Sequence, residues 1–174
     1  MHWGKCHYMC SYIITMENLL MRLSDRDKVL VVAFGNIARG DDGLGIRFAE
    51  YLSNEHLDNV DIEMDYQLNI DLSVDLLNYD KVVFVDASIN CKEPYEFYRI
   101  NPEPSIAFTS HSVKPEAILA VYEKCFGTSA PETWILAIRG YQFDLSDNLS
   151  EKATKNLLEA LDFFTKKLLL EKEI

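Results

Sequence analysis

Lys28-Val29-Leu30-Val31-Val32-Ala33-Phe34, followed by Gly35-Asn36-Ile37-Ala38-Arg39-Gly40-Asp41-Asp42-Gly43-Leu44-Gly45, is the stretch whose reading decides the fold. An uninterrupted apolar run ended by Gly-Asn fits a central strand of a parallel sheet, buried on both faces. Beyond the turn, Gly45, Phe48, Ala49 and Leu52 recur at i, i+3, i+4 and i+7, the spacing of one helix face. Two adjacent carboxylates framed by glycines therefore sit between a strand and a helix. In open α/β sheets, ligands bind at such a place, outside the carboxyl ends of the strands.

The residue types in the turn argue against phosphate. A dinucleotide fingerprint needs G-x-G-x-x-G, and only Gly43-Leu44-Gly45 is present. A P-loop needs Lys and Ser or Thr after its second glycine, whereas Asp41 and Asp42 follow Gly40. Two anions at a phosphate cradle repel the ligand that the helix dipole attracts. Two readings of Asp42 remain: an acidic cap on the helix N-terminus, or a metal ligand, which requires partners elsewhere in the chain.

The rest of the chain supplies strands and helices in alternation. Val60 to Met64 alternates apolar and polar residues, as an edge or half-buried strand does. Asp65-Tyr66-Gln67-Leu68-Asn69 is a second strand-to-helix turn, leading to a short helix through Leu72, Leu76 and Leu77. Lys81-Val82-Val83-Phe84-Val85 is another apolar strand and runs into Asp86-Ala87-Ser88. Tyr95 to Ile100, following Pro94, suits an edge strand. A loop with Pro102 and Pro104 leads to Thr109-Ser110-His111-Ser112, and Pro115 suits a first helical turn. On that helix Ile118, Val121, Tyr122 and Cys125 make the expected buried face. Thr133 to Ile138 is a third apolar strand. Ser150 can cap a last helix, whose inward stripe is Leu157, Ala160, Leu161, Phe164 and Leu168. The order β-α-β-α-β-β-α-β-α predicts a single doubly wound, mostly parallel α/β sheet with helices on both faces and one antiparallel edge strand.

Composition bounds the function. A chain of 174 residues with 48% hydrophobic and 26% charged residues suits one globular domain. The net charge of −11 argues against nucleic acid or an anionic membrane surface as a partner. No segment reaches the roughly 18 uncharged apolar residues of a membrane span. Cys6, Cys10, Cys91 and Cys125 form no CxxC pair or disulfide framework, which points to free thiols in a reducing cytoplasm. Residues 1–27 read as an extension outside the domain of residues 28–174, or as sequence upstream of the true start, with Met16 and Met21 as alternative initiators. The spacing of His2, Cys6, His7 and Cys10 matches no zinc pattern.

Asp42, Asp86 and His111 each follow a strand or its adjoining loop, and such positions converge on one rim of a parallel sheet. Taken singly, Asp86 reads equally as a turn residue and His111 as a surface histidine. Together, two carboxylates and an imidazole make a divalent-cation site with open coordination positions, competent at neutral pH. No G-x-S-x-G competes, and Cys91 lacks a neighbouring histidine in sequence.

With these residues in place, the chain from Lys28 onward resembles the hydrogenase maturation proteases, the nickel-dependent endopeptidases of [NiFe]-hydrogenase assembly. The resemblance rests on Gly35-Asn36-x-x-x-x-Asp41-Asp42-Gly43-x-Gly45, on Val82-Val83-Phe84-Val85-Asp86-Ala87, on Ser110-His111-Ser112, and on Arg139-Gly140-Tyr141-x-Phe143 followed by Leu149-Ser150. It implies that Asp42 (a place often held by Glu), Asp86 and His111 are the metal-binding and catalytic residues, with nickel arriving on the substrate. The implied reaction removes the C-terminal extension of a hydrogenase large-subunit precursor after nickel insertion, as an aspartic or metal-assisted peptidase. A non-catalytic nickel-sensing chaperone of the large subunit is the rival reading. Asp41 is read as a helix cap or, failing that, a general base. Where many members carry Asp-Gly-Gly-Thr, this chain has Asp65-Tyr66-Gln67-Leu68, more like relatives serving soluble, cofactor-linked hydrogenases.

Overall fold

The apolar runs become the interior strands of one sheet. The computed structural model describes residues 27–55, 57–103 and 113–170, with side chains as far as residue 166. Residues 1–26 of the extension read over residues 1–27, His111 with Ser110 and Ser112, and the side chain of Leu168 lie outside the described residues. The elements are β1 (Val29–Phe34), α1 (Leu44–Leu52), β2 (Val60–Asp65), α2 (Leu72–Asp75), β3 (Lys81–Ser88), β4 (Tyr95–Ile100), α3 (Pro115–Phe126), β5 (Glu132–Arg139) and α4 (Glu151–Leu170). A 3-10 turn over Gly40–Gly43 leads into α1, and another over Leu76–Asn78 extends α2.

The strands lie in the order β2-β1-β3-β5-β4. All pairings are parallel except β4 with β5. This is the doubly wound sheet with an antiparallel edge that the element order predicts. Side-chain alternation divides the core in two. Val29, Val31 and Ala33 of β1 pack with Leu44, Phe48, Ala49 and Leu52 of α1 and with Ala153, Leu157, Ala160 and Phe164 of α4. Leu30 and Val32 pack on the other face with Leu72 and Leu76 at α2 and with Ile118, Leu119 and Tyr122 of α3. Phe48 and Phe164 meet edge to face at 5.4 Å, joining α1 to α4.

Two helix faces differ from the periodicity reading. On α3 the buried residues are Ile118, Leu119 and Tyr122, while Cys125 is exposed. The helix lies beside α2 and turns Leu119 inward, and it ends at Gly127 in the left-handed conformation, with Phe126 of its last turn packed edge to face on Tyr122. Leu77 is exposed because the chain tightens into a 3-10 turn at Leu76 and shifts the angular spacing of the side chains.

Gly45 fixes how closely α1 approaches the sheet. A Cβ there would lie 2.5 Å from both the Phe34 and the Val85 carbonyl oxygens, so only glycine lets the start of α1 sit between the ends of β1 and β3. Gly45→Ala is expected to destabilise the protein by about 2 kcal/mol or more, since overpacking against backbone cannot relax by a rotamer change. Urea denaturation reads this directly, and an unchanged midpoint would mean that α1 can lift from the sheet.

Candidate active site

From β1 the chain crosses outward to β2 and then returns past β1 to β3, so the direction of winding reverses between β1 and β3. The crevice of such a sheet opens at the carboxyl ends of these two strands. Asp42 stands in the turn after β1 and Asp86 near the end of β3. The structure brings this predicted pair together: burial pushes the Asp86 carboxyl up to about 7, the Ala87 N–H opposes the rise, and the negative charge of Asp42 adds to it. Asp86 does not sit in a turn, because β3 continues to Ser88 and its pairing with β5 includes Asp86 opposite Ala137. His111, the third predicted member, lies outside the described residues. Among the described residues no third His, Cys, Asp or Glu completes a metal-binding group with the pair.

The support of Asp42 comes from its own turn. The Asn36 N–H donates to Asp42 Oδ2 at 3.3 Å. The Asn36 side chain accepts from the Ala38 N–H at 2.9 Å and donates to the Tyr66 hydroxyl at 2.6 Å, tying the turn after β1 to the turn after β2. Gly35 permits this path, having φ of +139° and no room for a Cβ, which would lie 2.1 Å from the Asp42 carbonyl oxygen.

Asp41 is neither a cap of α1 nor a free base. It is fully buried, and its Oδ2 accepts from the N–H groups of Tyr141 at 2.7 Å and Gln142 at 2.9 Å and from the Ser150 hydroxyl at 2.8 Å. Its Oδ1 accepts from the Ser150 N–H at 2.7 Å. Burial alone would raise this carboxyl, but the Ser150, Tyr141 and Gln142 donors together hold it below the usual carboxylate range. Ser150 Oγ also accepts from the Ala153 N–H, as the capping reading expected. A cleft of about 410 Å3 between α1 and the start of α4, lined by Arg47, Tyr51, Asp147 and Leu157 among others, contains neither Asp42 nor Asp86 and is separate from this site.

Several solved structures share this architecture. The hydrogenase maturating endopeptidase HybD from E. coli matches with a TM-score of 0.63 and 20% identity, over 79% of this chain and 89% of that one. The [NiFe] hydrogenase maturation protease HycI from Thermococcus kodakarensis KOD1 matches with a TM-score of 0.66 and 19% identity, over 88% and 98%. A hydrogenase 2 maturation peptidase from a Thaumarchaeota archaeon matches with a TM-score of 0.61 and 27% identity, over 82% and 99%. The fold is that of the hydrogenase maturation proteases. No protein-family model matches the sequence, and no curated protein does.

On this maturation-protease fold, the strand-end rule finds Asp42 and Asp86 but misses Asn36, Tyr66 and the true role of Asp41. Asn36 carries a weak signal, since Asn after a strand-ending glycine favours an Asx turn. Tyr66 and the donors to Asp41 carry none, because their partners are remote in sequence.

The two shifted acids have opposite linkage. Asp41 is depressed in the folded state, so its stabilisation is present above the ordinary carboxylate range and is lost as pH falls through its folded value. Asp41→Ala strands three part-buried N–H groups and is expected to cost about 3 kcal/mol, and Asp41→Asn is expected to flatten the acid limb of stability against pH. Asp86 is raised, so the metal-free protein loses stability as pH climbs from the ordinary carboxylate value towards about 7. Asp86→Asn should therefore raise the Tm of metal-free protein at about pH 8 and have little effect near pH 4. Thermal melts across that range test both signs.

Proposed function

We propose that this chain is a nickel-dependent endopeptidase that removes the C-terminal extension of a [NiFe]-hydrogenase large-subunit precursor. The observation that carries the reading is the Asp42–Asp86 pair at the switch-point crevice, on a fold shared with maturation endopeptidases. Two part-buried carboxylates close enough to repel each other are relieved by a cation between them. The donor set of two acids with the imidazole of His111 suits borderline divalent metals. Nickel held by cysteines of the precursor is part of the substrate here, and it supplies the anchor that reports a loaded precursor.

Asp42, Asp86 and His111 complete the coordination of that metal and so fix the scissile segment against the rim. Asn36 holds the Asp42 carboxylate from behind through its N–H. Burial raises the Asp86 carboxyl to about 7 in the metal-free protein, and a cation bound beside it favours the ionised, ligating form. Asp41, with both oxygens occupied by donors, keeps the turn in place and does not take part in proton transfer. Among the described residues no helix is long and apolar enough to cross a membrane.

Processing of nickel-loaded precursor, followed as a shift of the large subunit on a gel, tests the proposal. Asp42→Ala, Asp86→Ala and His111→Ala are each expected to slow cleavage by about a hundredfold or more. Full activity in all three removes the proposal. A precursor that binds the wild-type protein but never shortens makes it a nickel-sensing chaperone instead.

A further inference from the structure

β2 is the open edge of the sheet among the described residues. Its pairing with β1 sets Val60, Ile62 and Met64 opposite Val29, Val31 and Ala33. The Asn59 carbonyl accepts from Val29 and the Asp65 carbonyl from Gly35, so the backbone groups of Asp61, Glu63 and Asp65 turn towards β1. By the alternation of a parallel strand, the N–H and C=O groups of Val60, Ile62 and Met64 point away from the sheet. No described strand lies beyond them.

The two faces of this edge differ in chemistry. Asp61, Glu63 and Asp65 lie on the α2 side, where the Tyr79 hydroxyl donates to Asp61 at 2.9 Å. Burial and then the charges of Asp75 and Asp65 raise the Glu63 carboxyl, which shows how closely these acids gather. None of these four acids is in an ion pair with a described Lys or Arg. On the other side Val60 and Ile62 pack against the α1 core, and Met64 is 47% exposed. The edge ends at Tyr66, which Asn36 holds beside Asp42.

We propose that the β2 edge accepts an extended polypeptide segment, basic on one face and apolar on the other, as an added strand. The outward N–H and C=O groups supply its ladder. The Asp61, Glu63 and Asp65 row pairs with its basic residues, and the Val60, Ile62 and Met64 row with its apolar ones. A second copy of this chain is a poor occupant, because its own β2 would bring the same acidic row into register. The added strand runs towards Tyr66, so its continuation reaches the Asp42–Asp86 crevice. That this segment belongs to the hydrogenase precursor rests on the function proposed above, whereas the edge chemistry does not.

The test uses a blocked peptide of alternating lysine and valine, and its glutamate–valine counterpart, with the full chain. Calorimetry is expected to show binding of the lysine peptide alone, weakened by salt, and hydrogen exchange to show protection of the Val60, Ile62 and Met64 amides. Glu63→Lys should weaken binding about tenfold. Met64→Pro should abolish it by removing an outward N–H while leaving the β1 ladder intact. Equal binding of both peptides, no binding, or no protection of those three amides overturns the proposal. With precursor as substrate, both variants should raise KM and spare kcat. If they match a wild-type protein that cleaves normally, the edge is not the dock and the function stands. If the wild type cleaves nothing yet the lysine peptide still protects the edge, the function fails and the dock stands.

Discussion

The Asp41 carboxylate, buried and ionised, gathers three backbone N–H groups and a hydroxyl from segments about a hundred residues further along the chain. It joins the turn after β1 to the loop after β5 and to the first turn of α4. Backbone bonds reinforce the junction: Gly40 N–H to Ser146 O at 2.7 Å, Asp41 N–H to Gln142 O at 2.8 Å, and Ser146 N–H to Ala38 O at 3.0 Å. Charge-assisted bonds of this kind are about twice as strong as neutral ones, and a buried carboxylate without them would not remain ionised. Because Asp41 is pinned inward, the next residue is presented at the rim. The position of Asp42 is thus inherited from a contact that Asp42 does not make.

Asp41 and Asp86 show how environment assigns roles to one chemical group. Both are withdrawn from water, yet one is held below the usual carboxylate range and the other pushed up to about 7. The difference lies in the donors. Asp41 accepts from two loops, while Asp86 accepts, among the described residues, the N–H of its neighbour Ala87 and faces the charge of Asp42. A fold optimised for stability alone would not keep such a pair together, and conflicts of this kind concentrate at functional sites.

The architecture was largely legible because burial on both faces leaves a plain mark on sequence. Residues 29–33, 82–85 and 134–138 are nearly unbroken apolar runs, and only central strands of a covered sheet tolerate such runs. The face of α1 was legible for the same reason, since the expected stripe of Gly45, Phe48, Ala49 and Leu52 is buried, with Leu44 beside it. The faces of α3 and α2 were less so. Leu119 displaces Cys125 from the buried stripe because neighbouring elements, not periodicity, choose which side of a moderately amphipathic helix turns inward. Asp42 and Asp86 could be picked out because strand ends in a parallel sheet share a rim, whereas His111 falls outside the described residues.

The sequence alone determined the order of elements, the winding of the sheet and two of the acids at its crevice, because these depend on local periodicity and on strand polarity. Tertiary structure decided that Asp41 is an anchor and not a base, that Tyr66 reaches Asn36, and that β2, read from its alternation as an edge or half-buried strand, is the outermost strand beside β1 among the described residues. These depend on pairs such as Asp41 with Ser150 and Asn36 with Tyr66. A hydrogen bond between remote residues leaves no periodic trace in the chain, and only folding brings its donor and acceptor within reach.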